Sequence, residues 1–345
     1  MTKSNHSLVV ERHKVNIKDE FATPEGRAKV DELIAHTTDL ADKYRYSKNI
    51  TMSVHDIPRP KKIDKDNWGT AYLVNKYPTF EEWLDTAVTA ATVDALYDPD
   101  NAILASGTKI GPDMVGVLKN LPDTVGIRSR AQILMGRMLQ DVVIDERWLS
   151  LACGNSLPIL RAAEASPAKP SITLVDISFN NLRFAKRLAK SRGQQEMVKK
   201  CLFRDLSDRK GFHKNQFIKQ TLAPFVIKQW PFFGYGKLKK NHYHRIEACG
   251  LITYLPPEAA ARFIGHVYEL LAPGGRFIFD SCSSNYPQRH FFEGVIQWPM
   301  AKFRSMDEDI EIISMSGVKP MDNTVEAFVP SNNKVIVVYE IRKPC

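Results

Sequence analysis

Residues 149–158 have the sequence LSLACGNSLP, in which an apolar run ends in small residues. The run predicts a buried strand, and the small residues predict a tight turn that leads into a helix. The backbone at Ala152, Gly154 and Ser156 is bare enough for a ligand to approach closely, and N–H groups at a helix N-terminus attract a carboxylate or a phosphate. The segment therefore predicts a strand–turn–helix unit with a ligand at its turn.

The sequence after Glu146 alternates short apolar runs with helical patterns, which is typical of βαβ units and a mostly parallel sheet. Predicted strands cover residues 148–153, 172–176, 198–204, 245–249 and 275–280, and predicted helices cover residues 157–164, 179–191 and 257–271. Two more apolar runs, at 324–329 and 335–341, predict an antiparallel hairpin. We predict the α/β fold class, with a doubly wound sheet over residues 146–345.

The first 145 residues show helical patterns and no strong strand signal. Thr79 and Glu82 have the spacing of a capping box, and the apolar stripe that follows predicts one helix that ends near residue 97. Other helices are predicted over residues 24–46 and 124–140. We expect residues 1–145 to form a helical lid over the ligand-binding edge of the sheet.

The composition, with 43% apolar and 25% charged residues, is that of an ordinary globular protein and excludes a disordered, collagen-like or coiled-coil chain. No apolar segment approaches the roughly 18 residues of a membrane span, and the N-terminus lacks the pattern of a signal peptide. The five cysteines form no CxxC pair, and His242 and His244 have no carboxylate cluster nearby, so no metal site is predicted. These features predict a cytoplasmic protein with reduced thiols.

Positive charge is concentrated between Arg183 and Arg245, where 17 Lys or Arg residues stand against three acidic residues. The chain as a whole has a net charge of +9, so the remainder is net acidic. Part of the positive charge falls on a predicted insertion at residues 208–244. Such a segment attracts nucleic acid, an anionic membrane surface or an acidic protein, and it is also typical of a solvated surface.

Acidic residues follow two of the predicted strands, at the edge where a doubly wound sheet binds its ligand. Asp176 ends the second strand and is placed to accept hydrogen bonds from both hydroxyls of a ribose. Asp205 ends the third strand and is placed to accept a hydrogen bond from an adenine amino group. The segment ACGLITYLPP, residues 248–257, follows the fourth strand beside the same edge.

Over residues 146–343 the sequence resembles the class I S-adenosylmethionine-dependent methyltransferases. The stretches that carry the resemblance are WLSLACGNS, LVDIS, FRDLS, ACGLITYLP and LLAPGGRFIFD, in this order along the chain. The resemblance implies a seven-stranded sheet closed by the antiparallel hairpin, with S-adenosylmethionine as the cofactor. The residues that it implies for cofactor binding are Ala152, Gly154, Asn155, Ser156, Asp176, Ile177, Asp205, Leu206, Gly250 and Leu251.

The first motif departs from the family pattern at three positions. The family's usual acid falls on Ser150, and two of its three glycines fall on Ala152 and Ser156. Small residues still allow the ligand to approach, but the contacts to its amino group must come from elsewhere. The GxGxxG pattern of dinucleotide sites is absent, which disfavours a nicotinamide enzyme.

A narrower resemblance is to a bacterial subgroup that acts on small or fatty-acyl substrates, and it rests on GIRSRAQIL, CGLITYLP and HFFEGVIQWPMAKFRSMDED. The candidate substrate-binding residues that it implies are Arg128, Arg130, Trp298 and Arg304. A bidentate contact from Arg128 or Arg130 would hold a carboxylate. Tyr254 and Glu293 are the candidate residues for orienting the acceptor or accepting its proton.

The sequence therefore favours methyl transfer to a small molecule, at oxygen or nitrogen, with carboxylates and acyl groups included. Transfer or cyclisation of the aminobutyryl group is an alternative that uses the same cofactor and releases methylthioadenosine. Nucleic-acid methylation or binding is another, based on the basic segment 183–245 and its interleaved aromatic residues. In the last alternative the protein is a non-catalytic subunit that no longer binds the cofactor.

Overall fold

The computed structural model describes residues 10–49, 63–86, 89–104, 106–203, 206, 238–298, 301–318 and 325–345. These residues form a central sheet with helices on both faces, and further helices from the N-terminal part of the chain lie at one edge of the sheet. None of the described helices is long and apolar enough to cross a membrane.

The central sheet has nine strands among these residues. They are β1 (Val10–Val15), β2 (Arg147–Leu151), β3 (Ser171–Asp176), β4 (Val198–Phe203), β5 (Tyr243–Ala248), β6 (Leu271–Ser283), β7 (Phe303–Arg304), β8 (Val325–Pro330) and β9 (Ile336–Arg342). The order across the sheet is β1-β8-β9-β6-β5-β2-β3-β4, and β7 pairs with the end of β6. Only β9 runs antiparallel to its neighbours among the described strands, so the predicted α/β class with a mostly parallel sheet and a C-terminal hairpin is confirmed.

The helices fall into two groups. The first group precedes the sheet's main strands and consists of α1 (Pro24–Lys48), α2 (Trp68–Lys76), α3 (Phe80–Asp85), α4 (Ala90–Tyr97) and α5 (Pro112–Asn120). The second group flanks the sheet and consists of α6 (Pro122–Leu139), α7 (Leu157–Ala165), α8 (Phe179–Ser191), α9 (Pro257–Leu270) and α10 (Met306–Met315). A short helical segment, Arg289–Phe291 followed by a π turn at Phe292–Ile296, packs into the core of the first group.

Alternate residues of the central strands pack into different cores, which explains the nearly continuous apolar sequences of these strands. Leu149 of β2 belongs to the core that includes Ile264 of α9 and Ile313 of α10. Its neighbour Trp148 belongs to the core on the opposite face, with Leu182 of α8. Because both faces of the sheet are covered, the ends of the strands are left as the place for a ligand.

The N-terminal region, for which only helices are predicted, also contains a strand, because residues 10–15 form β1 and pair in parallel with β8. The sequence VERHKV has polar residues on both sides of the strand and therefore shows no apolar alternation. Backbone hydrogen bonds at the sheet edge hold it instead. With β1 and the two-residue β7, the sheet has two strands more than the seven that the resemblance implies.

The single helix predicted from Thr79 to residue 97 is two helices, α3 and α4, and the predicted capping box is absent. Thr79 makes no capping bond, and its hydroxyl donates to Met114 Sδ at 3.2 Å. The Thr86 hydroxyl donates to backbone carbonyls at the end of α3, and the Thr89 hydroxyl accepts a backbone N–H at the start of α4. Hydroxyl side chains that form hydrogen bonds with the nearby backbone compete with the backbone hydrogen bonds of the helix. The spacing of apolar residues gives no sign of this competition.

A buried carboxylate on β9 ties α6 to the sheet. Glu340 is fully buried and accepts hydrogen bonds from Arg137 of α6 at 2.7 Å, from Arg276 of β6 at 3.4 Å and from Arg342 at 2.6 Å. Burial alone would raise the Glu340 pKa, but the hydrogen bonds and charges of these arginines outweigh it and lower the pKa.

We expect Glu340→Gln to lower the free energy of unfolding by about 1–3 kcal/mol at neutral pH, because the buried Arg276 and the partly buried Arg137 each lose a charged acceptor and keep one other carboxylate partner. Since the folded pKa lies below the unfolded value, this stabilisation is present above the unfolded pKa and is lost as the pH falls through the folded pKa. Urea titrations at several pH values measure both effects. Glu311→Gln, at an exposed position of α10, is the matched control and should change stability by less than about 0.5 kcal/mol. Equal stability of the two variants would contradict this role of Glu340.

Candidate functional site

The strand order reverses between β2 and β5, and a crevice opens at the carboxyl ends of the strands there. A cavity of about 380 Å³ lies in this crevice. Its walls come from the turns after β2, β3 and β5, from the end of β6, from α4 and α6, and from Phe292, Ile296, Trp298 and Ala301. This volume is typical of a site for a small molecule.

The turn after β2 has left-handed backbone at three positions, with φ of 52° at Ala152, 49° at Gly154 and 58° at Ser156. Glycine adopts this conformation without strain, so alanine and serine keep the shape of a glycine-rich turn at an energetic cost. A Cβ added at Gly154 would meet no atom within 4 Å. Ala152, Gly154 and Asn155 line the cavity, whereas Ser156 is buried at the start of α7.

Asp176 ends β3 and is buried beside this turn. Its carboxylate accepts hydrogen bonds from the N–H of Gly154 at 2.9 Å, from the N–H of Ser178 at 2.7 Å and from the Asn181 amide at 3.2 Å. Burial raises the Asp176 pKa, although all three donors favour the ionised form. Ile177 follows directly, is 60% exposed and lines the same part of the cavity. A fixed carboxylate and an apolar side chain therefore stand side by side next to the turn.

A carboxylate from the adjacent strand reaches Ser150, which stands where the resembled family has an acid. Ser150 on β2 and Glu247 on β5 are paired across the sheet, and the Ser150 hydroxyl donates to Glu247. The second Glu247 oxygen accepts the N–H of Cys249 at 3.0 Å. Glu247 lines the cavity, and burial raises its pKa. This part of the cavity therefore contains a carboxylate even though the first motif lacks one.

Arg130 and Asp280 form a buried ion pair in the cavity wall. The Arg130 guanidinium donates to Asp280 Oδ2 at 3.0 Å and to the Tyr97 hydroxyl at 2.9 Å, and Asp280 Oδ1 accepts the N–H of Gly250 at 2.6 Å. The Nε–H of Arg130 has no hydrogen-bond partner among the described residues. An unpaired buried donor costs free energy, so this guanidinium is not fully satisfied by its partners among the described residues.

Another part of the cavity is mainly aromatic. Trp298 donates its Nε1–H to the Tyr254 hydroxyl at 2.7 Å, stacks on Phe292 at 5.8 Å between ring centroids, and lies 6.2 Å from the Trp83 ring. Burial raises the Tyr254 pKa, so its phenol stays protonated at neutral pH and is unsuited to accept a proton. Of the two predicted roles of Tyr254, this environment favours orientation of a bound molecule.

The predicted cofactor residues that line the cavity are Ala152, Gly154, Asn155, Asp176, Ile177, Gly250 and Leu251. Leu206 is packed in the core and does not line it. Asp205 lies outside the described residues, as does residue range 207–237, which contains most of the predicted basic insertion.

Three predicted substrate or catalytic residues do not line the cavity. Arg128 forms an ion pair with Asp19 at 2.9 Å and donates to backbone carbonyls, so its donors are occupied. Arg304 donates to two carbonyls of the turn after β5 and so supports the turn's shape. Glu293 is paired with Arg289 at 3.0 Å. Arg130, Trp298 and Tyr254 are the substrate or catalytic candidates that do line it.

Sequence reasoning missed three acidic residues of the cavity wall, which are Glu247, Asp280 and Asp123. Asp280 could have been predicted, because it ends a predicted strand at the edge of the sheet where the ligand binds. Glu247 gave a weaker indication, because it is an acidic residue inside an otherwise apolar strand. Asp123 gave no indication of a role in the site, because an acidic residue in the first turn of a helix is common.

We expect Ala152→Gly to leave the free energy of unfolding unchanged or to raise it by up to about 1 kcal/mol, because glycine relieves the left-handed strain. Ala165→Gly, at the exposed end of α7, is the matched control and should lower stability by roughly 0.5–1 kcal/mol. Chemical denaturation of both variants measures the difference. A larger loss for Ala152→Gly than for the control would argue against strain at this turn.

No protein-family model and no curated protein matches this sequence. Among solved structures, a possible exported protein from Bordetella parapertussis is 13% identical and has a TM-score of 0.63, over 94% of this chain and 99% of that one. The S-adenosylmethionine-dependent methyltransferase SibL has a TM-score of 0.48 at 13% identity, over 80% of this chain and 73% of that one. The carbon methyltransferase CurJ has a TM-score of 0.47 at 11% identity, over 83% and 72%.

The topology of the sheet identifies the fold. Without β1 and β7, the strand order is β4-β3-β2-β5-β6-β9-β8, with helices on both faces. Only β9 is antiparallel in this set, and the cavity lies at the point where the order reverses. This is the seven-stranded arrangement that the resemblance implies, so the chain has the fold of the class I S-adenosylmethionine-dependent methyltransferases.

Proposed function

We propose that this protein is an S-adenosylmethionine-dependent methyltransferase that acts on a small-molecule acceptor. The observation that carries the proposal is the cavity at the switch point of this fold, together with its charge. Asp176, Glu247 and Asp280 lie in its wall, and Arg130 is the only cationic side chain among the described lining residues. Because the charged side chains of the wall are mostly acidic, the cavity suits a ligand with positive charge. S-adenosylmethionine supplies a methyl group on a positively charged sulfur.

The side chains of the wall fit the parts of this ligand. Asp176 would accept hydrogen bonds from the ribose hydroxyls. Glu247 would bind the ammonium group, because a buried carboxylate with a raised pKa gains most from a positive partner. The Arg130 guanidinium, which lines the cavity, would donate to the ligand's carboxylate.

The aromatic part of the cavity would hold the acceptor. Trp83, Phe292 and Trp298 form an apolar wall that excludes water and favours a small, mainly apolar molecule. Transfer needs in-line approach of the acceptor, and a rigid wall contributes by positioning it. Under this proposal residues 1–145 act as a lid on a catalytic domain of residues 146–345, and that division and the cytoplasmic location stay predictions.

The alternatives remain distinguishable by their products and partners. Methyl transfer releases S-adenosylhomocysteine, whereas transfer or cyclisation of the aminobutyryl group releases methylthioadenosine, so product mass separates them. Nucleic-acid binding would show a steep dependence on salt concentration. The cavity of about 380 Å³ supports a small-molecule acceptor.

We expect the folded protein to bind S-adenosylhomocysteine, and Asp176→Asn to weaken binding at least about tenfold, because hydrogen bonds to a charged group are lost. Isothermal titration calorimetry measures both affinities. Asp145→Asn, at an exposed position before β2, is the matched control and should bind like the wild type. Failure of the folded wild type to bind either S-adenosylmethionine or S-adenosylhomocysteine would overturn the proposed function.

We expect Glu247→Gln to weaken binding of S-adenosylhomocysteine at least about tenfold and to leave methylthioadenosine, which lacks the amino-acid part, nearly unaffected. The double variant Ser150→Asp/Glu247→Ser moves the acid to the neighbouring strand and should recover much of the affinity. Glu258→Gln, at an exposed position of α9, is the control. Equal losses for both ligands would indicate a structural role of Glu247 instead.

A further inference from the structure

Asp123, in the first turn of α6, is a cavity-lining carboxyl group that the proposed cofactor contacts leave unused. Its Oδ2 accepts a hydrogen bond from the hydroxyl of Tyr286, which lies in the turn after β6. Tyr286 is the one described side chain that hydrogen-bonds to it. Arg130 lies two turns further along α6, so both side chains project from the same side of the helix into the same cavity.

The titratable groups that face Asp123 come from several elements. Tyr286 and the Cys282 thiol approach it from the end of β6, and the paired Arg130 and Asp280 lie further along the cavity. A second cavity of about 310 Å³ is lined by Pro122, the neighbour of Asp123, and by the charged residues Arg27, Asp31 and Lys334.

These groups differ in how they ionise. Burial raises the pKa of Asp123 to about 7, and the Tyr286 hydrogen bond offsets only part of that rise. Burial raises the Cys282 pKa to about 12 and raises the Tyr286 pKa, so both groups stay protonated at neutral pH. Asp123 is therefore the group at this end of the cavity that gains and loses a proton near neutrality, as a general base must.

We propose that Asp123 is the catalytic residue that accepts the acceptor's proton, and that the acceptor is a neutral aromatic molecule with a phenolic hydroxyl. This inference rests on the proposed function and deepens it. The hydroxyl oxygen forms a bond to the methyl carbon, the carbon–sulfur bond of the donor breaks with its electron pair left on sulfur, and the hydroxyl proton passes to the Asp123 carboxylate. Water then takes that proton from Asp123.

The choice of a phenol follows from the side chains that line the same cavity as Asp123. The aromatic wall of Trp83, Phe292 and Trp298 packs well against a planar ring. A carboxylate acceptor has no proton to lose and would be repelled by an ionised Asp123. A neutral hydroxyl can donate to Asp123 before transfer, which places its oxygen in the cavity with the proton already directed at the base.

The test uses two fluorinated probes and the protein saturated with S-adenosylhomocysteine, with fluorine NMR to measure binding. 4-Fluorophenol carries the hydroxyl, and 4-fluoroanisole is the same ring with the hydroxyl methylated. At about pH 8 we expect the phenol to bind at least about tenfold more tightly than the anisole, since it donates to a charged carboxylate. The preference should shrink severalfold at about pH 5, where Asp123 is protonated.

Two variants test whether Asp123 causes the preference for the phenol over the anisole. Asp123→Asn should abolish the pH dependence of the preference, and Asp113→Asn, at an exposed position of α5, should retain it. Tyr286→Phe removes a hydrogen bond that lowers the Asp123 pKa, so the transition should move to higher pH. This second variant keeps the proposal testable if Asp123→Asn does not fold.

Each contrary outcome has one meaning. Failure to bind S-adenosylhomocysteine overturns the proposed function, and the inference falls with it. Normal binding of S-adenosylhomocysteine without binding of 4-fluorophenol overturns the phenol class alone. An unchanged, pH-dependent preference in Asp123→Asn, or no shift in Tyr286→Phe, overturns the role of Asp123 as the proton acceptor.

Discussion

The ion pair between Arg130 and Asp280 is the interaction on which the site depends. Arg130 belongs to α6 and Asp280 to β6, and their remaining hydrogen bonds reach Tyr97 of α4 and the N–H of Gly250 after β5. Four elements therefore meet at one buried pair. Loss of either charge would leave the other uncompensated in a buried position, which is far more costly than loss of an exposed pair. Through Tyr97, the pair connects α4 of the N-terminal group to the strand ends that line the cavity.

Sequence patterns predicted the central strands well because both faces of the sheet are buried, so apolar runs mark the strands directly. They also predicted both ends of α8, where Ser178 caps the first turn by accepting the N–H of Asn181. They failed where the deciding contact joins distant parts of the chain. Strand β1 is polar and is held by pairing with β8, and the role of Glu247 depends on its register opposite Ser150. Neither contact leaves a local pattern in the sequence.

The two candidate arginines on α6 also show what a local sequence pattern does not predict. Arg128 and Arg130 are two residues apart on α6, so they point to different sides of the helix, and sequence alone does not say which side faces the ligand. The structure separates them by their partners. Arg128 has its donors occupied by Asp19 and backbone carbonyls, whereas Arg130 lines the cavity, where it is paired with Asp280. The two arginines therefore differ in which acceptor groups the rest of the fold places beside them. The sequence around each arginine does not show this difference.

The proposed role of Asp123 follows from the charge balance of an enclosed site. Asp123, Asp176 and Glu247 all have pKa values that burial raises, so each carboxylate is less stable in its charged form than it would be in water. For Asp176 and Glu247, hydrogen-bond donors or a cationic ligand offset that cost. Among the described side chains, one phenol donates to Asp123, so protonation relieves it most directly. Methyl transfer from a sulfonium to a neutral hydroxyl removes a positive charge from sulfur. If Asp123 takes the hydroxyl proton, the same step also removes the negative charge of the Asp123 carboxylate. A low-dielectric cavity favours a step that cancels two opposite charges over one that leaves a charge behind, because the remaining charge would be poorly solvated there. The same desolvation that raises the Asp123 pKa therefore makes it an effective proton acceptor for this reaction.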